Sequence, residues 1–323
     1  MKVIIQKDLF LRSHDIFSEA SEKYDIQFNT IDALDENAML DQHRKGIQCF
    51  VIGAEVYSNE FYNSLCEGSA VIRYGVGYNA VPIDICLARK IKVAYTPGTL
   101  TDSVAEHTVA LLLSVTRRIP ELHQNITADT WQCFTGIELK DKTIAIIGFG
   151  NIGQAVARIA KYGFGMKINA YDKYDTMNSD LPDHYSGNFE DVVKNADIVS
   201  LHLATLPETR GLINKERLNM MKDGVIIINT ARGELIVEED LYEALRSGKV
   251  AAAGLDVFRK EPYKPDPDID FRKLKNVILT PHCGSNTKEA NNRIAQLVIK
   301  NILAFYSGSD MILIPEMLLL QKP

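Results

Sequence analysis

The sequence predicts an α/β protein built of two doubly wound parallel sheets. Three observations predict it. Short apolar runs alternate with amphipathic stretches over the first hundred residues, a second series of the same kind begins at Thr143, and a glycine-rich turn heads that second series between an apolar run and a helical stretch. Strands that alternate with helical patterns call for parallel pairing through crossover helices.

In the first series the strand-like runs are residues 2–5, 49–52, 70–74 and 92–95, with an amphipathic helix over 15–24. At Ser103 the pattern changes to a long buried helix over 104–115, opened by Ser103 and Glu106 at capping-box spacing. Such a helix suits a join between two domains.

In the second series the strand-like runs are 143–147, 167–171, 198–202, 225–229 and 251–255. One intervening helix opens with Glu238, Glu239 and Asp240 and closes at Ser247 with Gly248 beyond it, which matches the helix dipole and the glycine C-cap. A loop rich in Pro and Asp occupies 260–270, a last strand 277–280 and a last helix 288–306. That helix is expected to return to the first domain, giving a division into 1–101 plus 285–323 and 102–284.

Composition excludes several classes. A chain of 323 residues, 46% hydrophobic and 24% charged, is enough for about two domains with ordinary cores. Lys and Arg total 36 against 42 Asp and Glu, a formal net charge of -6, and no basic run argues for nucleic acid or an anionic membrane. The N-terminal apolar stretch ends at Gln6, too short for a signal peptide or a span. Five scattered cysteines with no C-x-x-C pair point to a reducing, cytoplasmic setting and to no metal site.

The run 143–147 leads directly into Gly148-Phe149-Gly150-Asn151-Ile152-Gly153 and a helical stretch. This is G-x-G-x-x-G in strand, turn and helix order. Gly148 permits the tight turn, Gly150 admits a pyrophosphate to the backbone, and Gly153 lets helix and strand approach, with phosphate at the helix N-terminus. The next strand ends at Asp172, placed to accept ribose hydroxyls, and its charge favours NAD over NADP despite Lys173 beside it.

Several further motifs stand in order: Arg73-Tyr74-Gly75-Val76-Gly77, Thr96-Pro97-Gly98 with Leu100 to His107, Asn229-Thr230-Ala231-Arg232-Gly233, Gly254-Leu255-Asp256-Val257-Phe258 with Glu261-Pro262, and Thr280-Pro281-His282. With the glycine fingerprint they make the chain resemble the D-isomer-specific 2-hydroxyacid dehydrogenases over nearly its whole length. The resemblance implies a Rossmann NAD-binding domain, a flavodoxin-like substrate domain and a homodimer, and it implies catalytic Arg232, Glu261 and His282. Hydride reduction of a 2-oxo acid leaves negative charge on the carbonyl oxygen, so a histidine is the natural proton donor, a carboxylate would orient it, and an arginine fork would hold the substrate.

The resemblance further implies substrate contacts at Tyr74, Val76, Gly77 and Leu100, with the Val76 and Gly77 amides on the carboxylate. It implies cofactor contacts at Ile152, Thr230 and Ala231, and at Asp256 for the nicotinamide carboxamide, a position that also suits a strand-end cap. His202 is read as a group behind the cofactor crevice, His107 as a satisfied core histidine, Cys283 as a packing thiol open to oxidation, and Trp131 as packed, although in some relatives an aromatic there closes the neighbouring subunit's active site. The segment 117–136 is the candidate exchanged arm of a dimer. The chain departs from the family at Asn79-Ala80-Val81-Pro82 and at His202-Leu203-Ala204-Thr205-Leu206.

Within the family, the stretch from Thr96 to Asp102 looks most like glyoxylate and hydroxypyruvate reductases. A short phosphoglycerate dehydrogenase and a phosphite dehydrogenase stay open, Glu261 argues against a formate dehydrogenase, and an NAD(H)-sensing corepressor-like protein is the alternative outside catalysis.

Overall fold

The computed structural model describes residues 1–173 and 180–319, in two units: Met1–Leu100 with the segment from Asn286 onward, and Thr101–Ser285. In the first, five strands lie in the order β2-β1-β3-β4-β5, where β1 is Lys2–Gln6, β2 Gln27–Ile31, β3 Cys49–Ile52, β4 Ala70–Arg73 and β5 Lys92–Ala94. All pairs are parallel, the flavodoxin-like order. Successive side chains of a strand face opposite ways, so each apolar strand feeds two cores. Val3, Ile5, Val51 and Ile72 pack with the helices His14–Tyr24 and Lys288–Ser307 on one face, while Ile4, Phe50, Ile52 and Val71 pack with Met39, Phe61 and Cys86 on the other.

β2 was not evident from the sequence. Its residues Gln-Phe-Asn-Thr-Ile sit at the sheet edge and are only partly covered, so the strand lacks the apolar run that marks its buried neighbours.

The second unit holds seven parallel strands in the order β12-β11-β10-β9-β6-β7-β8. They are β6 Thr143–Ile147, β7 Lys167–Tyr171, β8 His184–Ser186, β9 Ile198–Leu201, β10 Val225–Asn229, β11 Val250–Leu255 and β12 Val277–Leu279. Order reverses between β6 and β9, the switch point at whose carboxyl ends doubly wound sheets bind ligands. Ile144, Ile146, Ile226 and Ile228 pack under the helices Thr101–Arg117 and Asn151–Phe164; Ala145, Ile147, Val199 and Ile227 pack with Leu241 and Leu245 of Glu238–Ser247 on the other face. Gly248, with φ 81, closes that last helix as expected.

The long helix differs from expectation at its start. It begins at Thr101, so Ser103 lies inside its first turn and not at its cap. Trp131, expected to pack, is 95% exposed in the single chain.

Candidate active site

The glycine turn is held by sterics that its sequence dictates. Gly148 has φ 99, and a Cβ there would stand 2.7 Å from the His202 carbonyl carbon; a Cβ on Gly153 would overlap the Gly148 carbonyl. At Gly150 a Cβ would meet nothing within 4 Å, so the turn opens on one side into space that a phosphate can fill. Gly150 precedes the helix Asn151–Phe164, whose first turn has neither a side-chain cap nor an acid. Those amides suit an anion. Asp172, at the end of β7, accepts the Phe149 amide at 2.9 Å and ties the turn to the neighbouring strand. Lys173 is paired with Glu208 at 3.4 Å. These residues fit a dinucleotide.

Behind the turn, His202 ends β9 with its Nε2 2.8 Å from Ser200 Oγ. Burial pushes its pKa down to about 3, so the ring is neutral and serves by shape and hydrogen bonding. Thr230 is also buried, with its hydroxyl 2.7 Å from that of Thr108.

Arg232, Glu261 and His282 follow β10, β11 and β12. Asn229 folds the first of these turns: its Nδ2 donates to the Arg232 carbonyl at 2.9 Å and its Oδ1 accepts the Ala231 amide at 3.1 Å. The Arg232 guanidinium donates to the Ala231 carbonyl at 2.6 Å. Burial lowers its pKa, with Glu234 and Glu261 opposing; a guanidinium nevertheless stays charged.

Glu261 is held from two sides. Its Oε1 accepts the Phe258 amide at 3.0 Å, and its Oε2 lies 2.7 Å from His282 Nδ1. Burial alone would raise the Glu261 pKa, but the His282 hydrogen bond and charge, the Phe258 amide and Arg232 outweigh it and hold the carboxyl below its ordinary value. An ionised Glu261 fixes the proton on Nδ1 and leaves Nε2 for exchange. His282 itself has φ 50, unusual for a side chain of this size.

Asp256 is 1% exposed, and its carboxylate is spent on the turn around His282. Oδ1 accepts the Thr280 hydroxyl at 2.6 Å and the Cys283 amide at 2.9 Å, and Oδ2 accepts the Gly284 amide at 2.9 Å. Burial would raise its pKa, but these bonds and His107 bring it down to about 2. It is the strand-end cap that its position allows, with one acceptor site on Oδ2 left for a carboxamide. His107, expected as a satisfied core histidine, lies 3.1 Å from Thr280 Oγ1 and 3.3 Å from Asp256 Oδ1. The Cys283 thiol pKa is raised by burial and by Asp256, which disfavours the thiolate that oxidation needs.

In the first unit, the loop after β4 is fixed by Gly75, whose amide donates to Thr96 Oγ1 at 3.1 Å and whose carbonyl accepts the Thr96 amide at 3.1 Å. Val76 and Gly77 are half-buried beyond it. Tyr74 turns its side chain inward, 6% exposed, with its hydroxyl donating to the Asn291 carbonyl at 3.2 Å, so it can offer a ligand only its main chain. Leu100 is buried. Asn229, Gly233 and Thr280 carry functional geometry that motif reading passed over, although the strand-end Asn before Arg232 was a readable signal for a side-chain-closed turn.

A doubly wound sheet with a glycine fingerprint at its switch point, and an Arg, Glu, His set at the ends of the next strands, defines a dinucleotide-dependent dehydrogenase. Comparison with known proteins gives the particular family. Residues 109–284 match the D-isomer specific 2-hydroxyacid dehydrogenase, NAD binding domain. The chain is 42% identical over 250 residues to a glyoxylate reductase of Thermococcus litoralis, covering 74% of each chain. It is 40% identical over 241 residues to a hydroxypyruvate reductase of Blautia hydrogenotrophica, covering 72% of this chain and 74% of that one. Among solved structures, a glyoxylate reductase from Paecilomyes thermophila superposes with a TM-score of 0.85 at 27% identity, covering 98% of this chain and 99% of the other. The chain belongs to the D-isomer specific 2-hydroxyacid dehydrogenase family, and is an NAD-dependent oxidoreductase of 2-hydroxy acids.

Proposed function

We propose that this protein reduces a small 2-oxo acid of the glyoxylate or hydroxypyruvate kind, with His282 as the proton donor. The observation that carries this reading is the 2.7 Å pair of His282 Nδ1 and Glu261 Oε2, set at neighbouring strand ends with Arg232. The similarity to relatives named glyoxylate reductase and hydroxypyruvate reductase supports the substrate class.

In this reading Arg232 takes the substrate's carboxylate and carbonyl in its planar fork and polarises the carbonyl. The amides of Val76 and Gly77 bind the carboxylate. His282 delivers its Nε2 proton to the developing alkoxide, and Glu261 stabilises the imidazolium and holds its ring plane. Gly148, Gly150, Asn151, Ile152 and Gly153 would hold the pyrophosphate, Asp172 the adenosine ribose, and His202, Thr230, Ala231 and Asp256 the remainder of NAD. When bound, the reduced cofactor supplies the hydride.

Homodimerisation through the segment 117–136 is part of the proposal. It is supported by Ile119, Ile126 and Trp131, which lie exposed in the single chain. Among the described residues no helix is long and apolar enough to cross a membrane, and the five cysteines are unpaired, which supports a reducing, cytoplasmic setting.

The test is NADH oxidation with glyoxylate, hydroxypyruvate, pyruvate, phenylpyruvate and 2-ketogluconate, with NADPH in parallel. Turnover is expected with NADH and glyoxylate or hydroxypyruvate, falling as pH rises. His282→Ala should lose about 10²- to 10⁴-fold in turnover while still binding NADH. Wild-type turnover in that variant, or turnover confined to the larger acids, would overturn the reading.

A further inference from the structure

His107 sits in the helix Thr101–Arg117, yet it reaches the loop that carries His282, 173 residues away in sequence at Thr280. Thr280 donates its only hydroxyl proton to Asp256 Oδ1 at 2.6 Å. The Nε2 of His107, 3.1 Å from Thr280 Oγ1 and 3.3 Å from Asp256 Oδ1, therefore faces two acceptors and must carry a proton. A relay of donors results: the His107 N–H to Thr280 and Asp256, the Thr280 O–H to Asp256, and the Cys283 and Gly284 amides to the same carboxylate.

These bonds bracket His282 on both sides. Its own amide donates to the Asp256 carbonyl at 2.7 Å, and its backbone is held at φ 50. A left-handed backbone at a non-glycine residue is strained, so it persists only where the surroundings hold it. Gly284 is part of the fit, since a Cβ there would meet Asp256 Oδ2 at 3.1 Å and the His107 ring at 3.3 Å.

His107, Asp256 and Cys283 also offer three donor atoms within 4.8 Å of one another. Asp256 Oδ1, however, already faces the Thr280 hydroxyl, the Cys283 amide and His107 Nε2, so that oxygen has no lone pair left for an ion. The cluster is a hydrogen-bond hub and not a cation cradle.

We propose that His107 is a positioning residue for the reaction, acting through Thr280 and Asp256 to hold the turn that aims His282 at Glu261. The inference rests on the reading of His282 as the proton donor. A small misplacement of a proton donor is worth up to about 100-fold in rate. The same amount of disorder costs little in binding, because the Glu261 and Arg232 loops are anchored separately.

The experiment compares His107→Leu, which removes the donor, with His107→Gln, whose amide places an N–H near the Nε2 position. Steady-state kinetics over pH and melting temperatures are measured for both, with His282→Ala alongside. His107→Leu should lower kcat about 10- to 100-fold with KM nearly unchanged. His107→Gln should recover most of that loss. An unchanged kcat in His107→Leu overturns the inference, as does an equal loss in both variants that tracks melting temperature. If His282→Ala keeps its turnover, the proton-donor reading fails and the inference with it; if only His107→Leu is silent, the inference alone fails.

Discussion

Gly233 and Phe258 meet so closely that a Cβ on the glycine would overlap the Phe258 carbonyl group. This contact sets the turn that carries Arg232 against the loop that carries Glu261. The Phe258 amide in turn binds Glu261 Oε1, so one backbone contact and one hydrogen bond register the two charged groups.

Gly233→Ala should therefore damage both stability and catalysis. Overpacking at a rigid backbone contact costs about 1 to 3 kcal/mol or more. For a chain of this size, scanning calorimetry should show the melting temperature lowered by several degrees. Turnover should fall further than the remaining folded fraction explains, because the Arg232 and Glu261 loops are pushed apart.

Arg232→Lys keeps the charge and loses the planar fork. An ammonium makes one directed contact where the guanidinium makes two parallel ones. The expected loss in kcat/KM is about 10- to 100-fold, the value of a hydrogen bond to a charged group. Equal kinetics in wild type and variant would place Arg232 outside the site.

Asp172→Ser addresses cofactor choice. A carboxylate at the end of β7 repels the additional phosphate of NADP, and removing it should raise the NADPH to NADH ratio of kcat/KM by about tenfold or more. Because Asp172 also holds the Phe149 amide, serine is the suitable replacement, being able to accept that bond. An unchanged ratio would move the discriminating charge elsewhere.

Acid stability follows from two groups of opposite charge type. The Asp256 pKa is about 2 in the fold against an ordinary 3.8, so its contribution of about 2 kcal/mol is present above pH 4 and lost as pH falls toward 2. The His202 pKa is about 3 against an ordinary 6.5, so below pH 6.5 the unfolded chain binds a proton that the fold refuses, and stability falls again with acid. Denaturant midpoints should decline steadily below pH 6.5, and His202→Asn should flatten the part of the curve between pH 6.5 and 4.

Trp131→Ala tests the proposed dimer. A side chain 95% exposed in the single chain is expected to be covered by the partner copy. Light scattering should give twice the chain mass for the wild type, and the variant should dissociate about 30-fold more readily, as for an aromatic hot spot worth about 2 kcal/mol. A monomeric wild type would remove this part of the proposal.

The inner strands of both sheets and the glycine turn were readable in the sequence alone, and the three charged groups at successive strand ends through the family resemblance. Fully buried parallel strands such as Cys49–Ile52 and Val225–Asn229 are unbroken apolar runs, and phosphate-binding turns need glycines at set spacing, so each leaves a local mark. The half-covered edge strand Gln27–Ile31 leaves no such mark. The helix start at Thr101, the inward turn of Tyr74 and the exposure of Trp131 were likewise settled only by packing. The same holds for the hub of His107, Thr280 and Asp256 behind His282: its members lie on different elements, and only the register of β11 with β12, and the seating of a helix beneath them, brings their polar atoms within hydrogen-bond reach. Spacing along a chain records periodicity within an element, while hydrogen bonds between elements depend on distances that exist only after the sheet has formed.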